Sequence, residues 1–170
     1  MGIGGNFQLS PDDYRERGYA ATGAFAINKK TEVGVSSLLT HADLDIAALQ
    51  ERTRQAHGVY ARSSPVERLA LFAEADLLLD DVGGDTATGS VGYLQADVEP
   101  VQGLHVKATG EWCDPDHADA TDAALRGGGA LLWFLAPHAD IRLDAMVGPL
   151  DCSTGPASTF LGAVQWHLYL

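Results

Sequence analysis

The sequence has few basic residues and no long apolar run, and each shortage excludes a class of protein. Only 11 lysines and arginines stand against 23 aspartates and glutamates, which gives a formal net charge of −12. Nucleic-acid binding needs clustered positive charge, so this balance excludes a nucleic-acid partner. Apolar stretches such as 129–137 are far shorter than the roughly 18–20 residues of a transmembrane helix. A helical membrane protein is therefore excluded too.

Motifs for metal binding and catalysis are also missing. Cys113 and Cys152 are the only cysteines, and no Cys/His pattern with zinc spacing accompanies them. No GxSxG segment is present. The sequence therefore predicts no enzyme and no cofactor. Residues 1–10 lack the basic and apolar regions of a signal peptide, so we expect either a cytosolic protein or a mature form or fragment, with 1–170 as a single domain.

Short alternations of apolar and polar residues, bounded by turn residues, dominate the sequence and predict an all-β protein. Leu104, Val106 and Trp112, for example, alternate with Lys107 and Glu111. Ten segments with strand character lie near 2–10, 18–28, 31–40, 54–62, 66–79, 89–99, 103–113, 127–136, 139–148 and 159–170.

The connections between these segments alternate strictly between short and long. The short ones are 28–31, 63–65, 99–102 and 136–138, and the long ones are 11–17, 41–53, 80–88, 114–126 and 149–158. An antiparallel meander sends successive connections to opposite ends, so all the short turns share one rim and all the long loops share the other. Transmembrane barrels have this asymmetry, and most segments have the length of a tilted crossing. We therefore predict an antiparallel up-and-down transmembrane β-barrel of about ten strands.

In such a barrel the polar face of each strand lines the lumen, because side chains alternate between the two faces. The predicted lumen-lining residues are Arg68, Glu74, Asp76, Gln95, Asp97, Lys107, Glu111, Arg142 and Asp144. Opposite charges along these faces suggest three groups: Arg68 with Glu74 and Asp76, Lys107 with Glu111, and Arg142 with Asp144. These groups either line a narrow passage or form a structural plug.

The last segment, TFLGAVQWHLYL, resembles the C-terminal strand of Gram-negative outer-membrane β-barrel proteins. The family alternates apolar residues back from the terminus, and here those positions hold Gly162, Val164, Trp166, Leu168 and Leu170. The family's usual last residue is Phe, whereas this sequence has Leu. The resemblance to porin-like barrels extends over 103–170, where a strand that ends near Trp112 leads into the acidic segment 114–116 and two later strands meet in a tight turn at 136–138. It implies a location in the bacterial outer membrane, contact with the lipid bilayer and recognition by the barrel-insertion machinery, and it carries over no catalytic residue.

The long loops carry fourteen acidic residues and five arginines, and thus most of the negative charge. The segment DPDHADATD is a weak candidate for a calcium site through Asp114, Asp116, Asp119 and Asp122. It lacks the glycine and the terminal glutamate of an EF-hand, so a solvated loop is the simpler interpretation. Cys113 and Cys152 are assigned to the same rim, and an oxidising compartment would favour a disulfide between them.

Three functions remain open at this point. The leading hypothesis is a porin-like narrow channel for ions or very small solutes. The second is a structural barrel subunit or anchor whose long loops bind an envelope protein partner. The third is a soluble lipocalin-like carrier, in which the apolar face would be the interior rather than the lipid-facing surface.

Overall fold

The structure is a single antiparallel sheet of ten strands in sequence order. It is a computed structural model that describes residues 2–8, with their backbone only, together with 16–149 and 158–168. The strands are β1 (Gly2–Gln8), β2 (Arg17–Asn28), β3 (Thr31–Ala42), β4 (Arg52–Ser63), β5 (Leu69–Val82), β6 (Asp85–Val101), β7 (Leu104–Asp114), β8 (Ala124–Ala136), β9 (Ala139–Gly148) and β10 (Thr159–Leu168). The all-β class and the up-and-down order predicted from the sequence are confirmed. Among these residues there is no helix with the length and hydropathy needed to span a bilayer.

The sheet has two edges within the described residues. Backbone pairing runs from β1 to β10 through successive neighbours, and no pairing joins the first strand to the last. The structure therefore corrects the predicted closed barrel to an open sheet. An alternating pattern specifies two faces for each strand, and closure depends instead on which strands pair at the edges.

One of the predicted long loops is also corrected. The segment 80–88 lies almost entirely in β5 and β6, which are joined by Gly83 and Gly84 alone. Both glycines have positive φ, 60° and 96°, as a two-residue hairpin turn requires. The acidic residues assigned to this loop are therefore strand residues at a rim. The prediction failed because aspartates and threonines were taken as loop formers, although here they extend a hairpin.

A buried apolar core is nearly absent. Among the described residues, the only buried apolar side chains are those of Ala42, Ala124 and Pro149. The chain exposes 11159 Å², whereas a globular protein of 18.0 kDa exposes about 8,000 Å². No second layer from the described part of the chain packs against the sheet, so the apolar side chains of β2–β10 remain at the surface.

Candidate functional site

Backbone register divides the side chains of the sheet between two faces of opposite character. Of the nine predicted lumen-lining residues, eight share one face, which we call the polar face: Glu74, Asp76, Gln95, Asp97, Lys107, Glu111, Arg142 and Asp144. The ninth, Arg68, lies before β5 in the turn that follows β4, with a φ of 64°. Its Nη1 donates to the carbonyl oxygen of Pro100 at 3.4 Å. Arg68 was misplaced because the predicted strand began at residue 66.

Ion pairs between neighbouring positions cover much of the polar face. Arg142 pairs with Asp144, with 2.7 Å between Nη2 and Oδ1, as the sequence suggested. Lys107 pairs with Asp97, with 3.6 Å between Nζ and Oδ2, and not with Glu111 as predicted. Glu111 pairs with Arg126 on the adjacent strand β8. Partners were mispredicted because register, and not spacing along one strand, decides which charges are opposite.

Six carboxylates of the polar face have a basic neighbour within hydrogen-bonding or ion-pair distance. They are Glu32 with Arg62, Asp80 with Arg52, Asp97 with Lys107, Glu111 with Arg126, Asp144 with Arg142 and Asp140 with His167. Glu74 and Asp76 differ from these, since neither has an ion pair within the described part of the chain. The predicted group of Arg68 with these two acids therefore does not form.

Three aromatic rings lie side by side on the polar face near its middle. Tyr60 stacks on Phe72 with 6.3 Å between ring centroids, and Phe72 meets Tyr93 edge-on at 5.6 Å. The ring of Tyr60 covers Gly34 on β3, where an added Cβ would lie 2.2 Å from Cζ. The period of two on β4 could have identified Tyr60 as a polar-face residue, whereas its contact with Gly34 required the register.

The opposite face, which we call the apolar face, carries the predicted C-terminal residues. Gly162, Val164, Trp166 and Leu168 lie on it, and Val164 is 77% exposed. Leu170 is outside the described residues. The same face continues across the sheet through Leu143, Leu131 and Val106, so the apolar surface extends over many strands.

A network of charges holds the loop between β3 and β4 at the long-loop rim. Oδ1 of Asp45 accepts hydrogen bonds from the backbone N–H groups of Ala47 and Ala48 at 2.9 and 2.8 Å. Its Oδ2 lies 3.8 Å from Arg52 and 3.7 Å from Arg54. The pKa of Asp45 lies below its ordinary value, chiefly because the Ala48 N–H donates to the carboxylate. The Ala47 N–H and the two guanidinium groups lower this pKa further.

We expect this loop to loosen when the Asp45 carboxylate is lost. Because the folded pKa lies below 3.8, the contacts are fully present above that value and disappear as the pH falls through the folded pKa. Asp45→Ala should speed amide hydrogen exchange at Ala47 and Ala48 at neutral pH. Asp45→Asn, which keeps the accepting oxygen, should retain most of the protection. Equal exchange rates in the wild type and Asp45→Ala would contradict this role.

The weak calcium candidate does not assemble. No group of three or more potential metal ligands occurs among the described residues, and two of the four aspartates use an oxygen in local hydrogen bonds. Asp116 accepts from the N–H of Ala118, and Asp119 from the N–H and hydroxyl of Thr121. Desolvation and the nearby carboxylates, Asp119 first, raise the pKa of Asp122.

Cys113 is disulfide-bonded. It lies near the end of β7, opposite Ala124 of β8. The one other cysteine of the sequence, Cys152, is outside the described residues. The bond attaches the long-loop end of β7 to another part of the chain.

Comparison of the sequence with protein-family models finds no match, and comparisons with curated proteins and with solved structures find none either.

Proposed function

We propose that this chain forms the wall of a transmembrane β-barrel in the bacterial outer membrane, and that its polar face lines a narrow channel for ions or very small solutes. The observation that carries the proposal is the inverted exposure of the two faces. The side chains of Asp97 and Asp144 are 17% and 21% exposed, whereas Leu94 and Leu143, on the apolar face of the same two strands, are 60% and 43% exposed.

This inversion favours a lipid environment over water. Soluble proteins cover their apolar side chains and leave most charged ones exposed, and large contiguous apolar surfaces are rare on soluble monomers. In a lipocalin-like carrier the apolar face would line the interior. It would then be less exposed than the polar face, the opposite of what is observed. A bilayer supplies the missing apolar contact for this sheet, and an outward apolar band is typical of transmembrane barrels.

Closure of the sheet is part of the proposal. In lipid, the unpaired N–H and C=O groups of edge strands are too costly to leave unsatisfied. An even number of strands makes β1 and β10 antiparallel, so they can pair with each other or with strands of another chain. The alternating apolar residues of β10 further support recognition by the barrel-insertion machinery, as the C-terminal resemblance implies.

A structural anchor is the second candidate, and the ion pairs of the polar face favour it. Paired charges and the three aromatic rings fill space that a conducting pore needs open. In that case the long-loop rim would bind an envelope protein partner.

Conductance across planar bilayers separates these functions. The detergent-purified protein should migrate differently on SDS gels before and after boiling, and should give discrete current steps. Tyr93→Ala should enlarge the steps because it removes a ring from the polar face, whereas Leu94→Ala, its neighbour on the apolar face, should leave them unchanged. A protein that inserts without giving current steps would support the structural anchor and overturn the channel. A protein that is soluble without detergent and shows no heat-dependent shift would overturn the membrane proposal.

A further inference from the structure

We propose that Glu74 and Asp76 make the channel selective for cations over anions. This inference rests on the proposed function, since it concerns what passes along the polar face. It starts from the contrast described above: six carboxylates of that face have basic neighbours, whereas these two have none among the described residues.

Their position places this uncompensated charge in the middle of the sheet. Both belong to β5 (Leu69–Val82), two residues apart and hence on the same face. Register sets Glu74 between Tyr60 of β4 and Tyr93 of β6, and Asp76 between Gly58 and Val91. Central strand positions correspond to the centre of a membrane crossing, where a fixed charge acts on every permeating ion.

The absence of a side chain at Gly58 gives Asp76 its place. An added Cβ at Gly58 would lie 1.8 Å from Oδ1 of Asp76, so the carboxylate extends over the neighbouring strand. Oδ1 is therefore held against the wall of the polar face rather than extended away from it. A small residue on β4 makes room for the charge.

Aromatic rings flank Glu74. Tyr60 and Tyr93 lie beside it in the register, and Phe72 contacts both rings. These side chains bring no positive charge to the carboxylate, and their bulk narrows the passage beside it. A permeating ion therefore passes close to Glu74.

Neighbouring ion pairs contribute little net field, so Glu74 and Asp76 dominate the charge in the middle of the polar face. Arg126 with Glu111 and Arg142 with Asp144 each sum to zero charge over a few ångströms. Rings or clusters of Asp and Glu are a recognised basis of cation selectivity in pores. The permeating species we expect are small cations, with anionic solutes disfavoured.

The reversal potential in a potassium chloride gradient tests this inference. The wild type should favour K⁺ over Cl⁻, and Glu74→Gln with Asp76→Asn should reduce the permeability ratio about tenfold, which corresponds to roughly 1.4 kcal/mol. The control is Glu32→Gln with Arg62→Gln, which removes a paired acid and base and leaves the net charge unchanged. It should retain the wild-type ratio.

The outcomes separate the two proposals. Current steps with a K⁺/Cl⁻ permeability ratio near unity would overturn cation selectivity and leave the channel proposal intact. The same conclusion would follow if the wild type and the Glu74/Asp76 double variant had equal permeability ratios. Absence of steps from a protein that inserts and shows the heat-dependent gel shift would overturn the channel, and selectivity with it. The gel shift in each variant establishes that a change in the ratio does not come from failure to fold.

Discussion

Leu94→Arg should destabilise the membrane-inserted protein by about 2–4 kcal/mol in the free energy of folding into the bilayer. The yield of inserted protein should fall sharply as a result. Leu94 lies near the middle of β6 on the apolar face and is 60% exposed. At the centre of a bilayer, arginine there would bring a charge into hydrocarbon. In water, an exposed position of this kind would tolerate the same change within about 0.5 kcal/mol. Urea titration of the protein folded into lipid vesicles measures the difference.

The matched control is Gln95→Arg, one residue along the same strand and on the polar face. It adds the same charge and the same side chain, but toward the side that already carries arginines. We expect a loss well below that of Leu94→Arg, chiefly from the hydrogen bond that the Tyr93 hydroxyl donates to Gln95. Equal effects of the two variants would contradict the assignment of the apolar face to lipid.

Breaking the disulfide of Cys113 should lower the free energy of unfolding by about 3–4 kcal/mol. If Cys152, the one other cysteine, is the partner, 38 residues lie between the two positions. A crosslink across a segment of that length restricts the unfolded chain more than the folded one. Cys113→Ser removes the bond with little change in side-chain volume. Denaturant unfolding of the two proteins, monitored by tryptophan fluorescence, gives the comparison.

Reduction provides the control for this experiment. Dithiothreitol should destabilise the wild type to about the level of Cys113→Ser and should leave that variant unaffected. If the variant were as stable as the oxidised wild type, the disulfide would contribute nothing to the free energy of unfolding. Destabilisation of the variant beyond the reduced wild type would instead reveal a packing role for the Cys113 side chain beside Ala124.

The period of two in the sequence determined the strands and the faces. It assigned Glu74, Lys107 and Asp144 to one face, because successive side chains of a strand alternate regardless of what lies beside it. The prediction failed at Arg68, which fits the alternation of the following strand but lies in the turn before it. Arg126 was taken as a loop residue, although it begins the polar face of β8.

Register was decided only in the tertiary structure. Lys107 and Glu111 share a strand face, but Asp97 and Arg126 on the adjacent strands are their partners. Which residues are opposite depends on the pairing of whole strands, and one residue of shift would change every partner. The contact of the Tyr60 ring with Gly34 belongs to the same class of information.

The sequence by itself thus determined that this protein is a meander of antiparallel strands with one polar and one apolar face. These properties follow from local alternation and turn residues, which act over a few positions. Tertiary structure decided which charges are paired, left Glu74 and Asp76 without partners in the described chain, and left the apolar face uncovered. Those features arise between strands that are distant in sequence, where backbone hydrogen bonding sets the register.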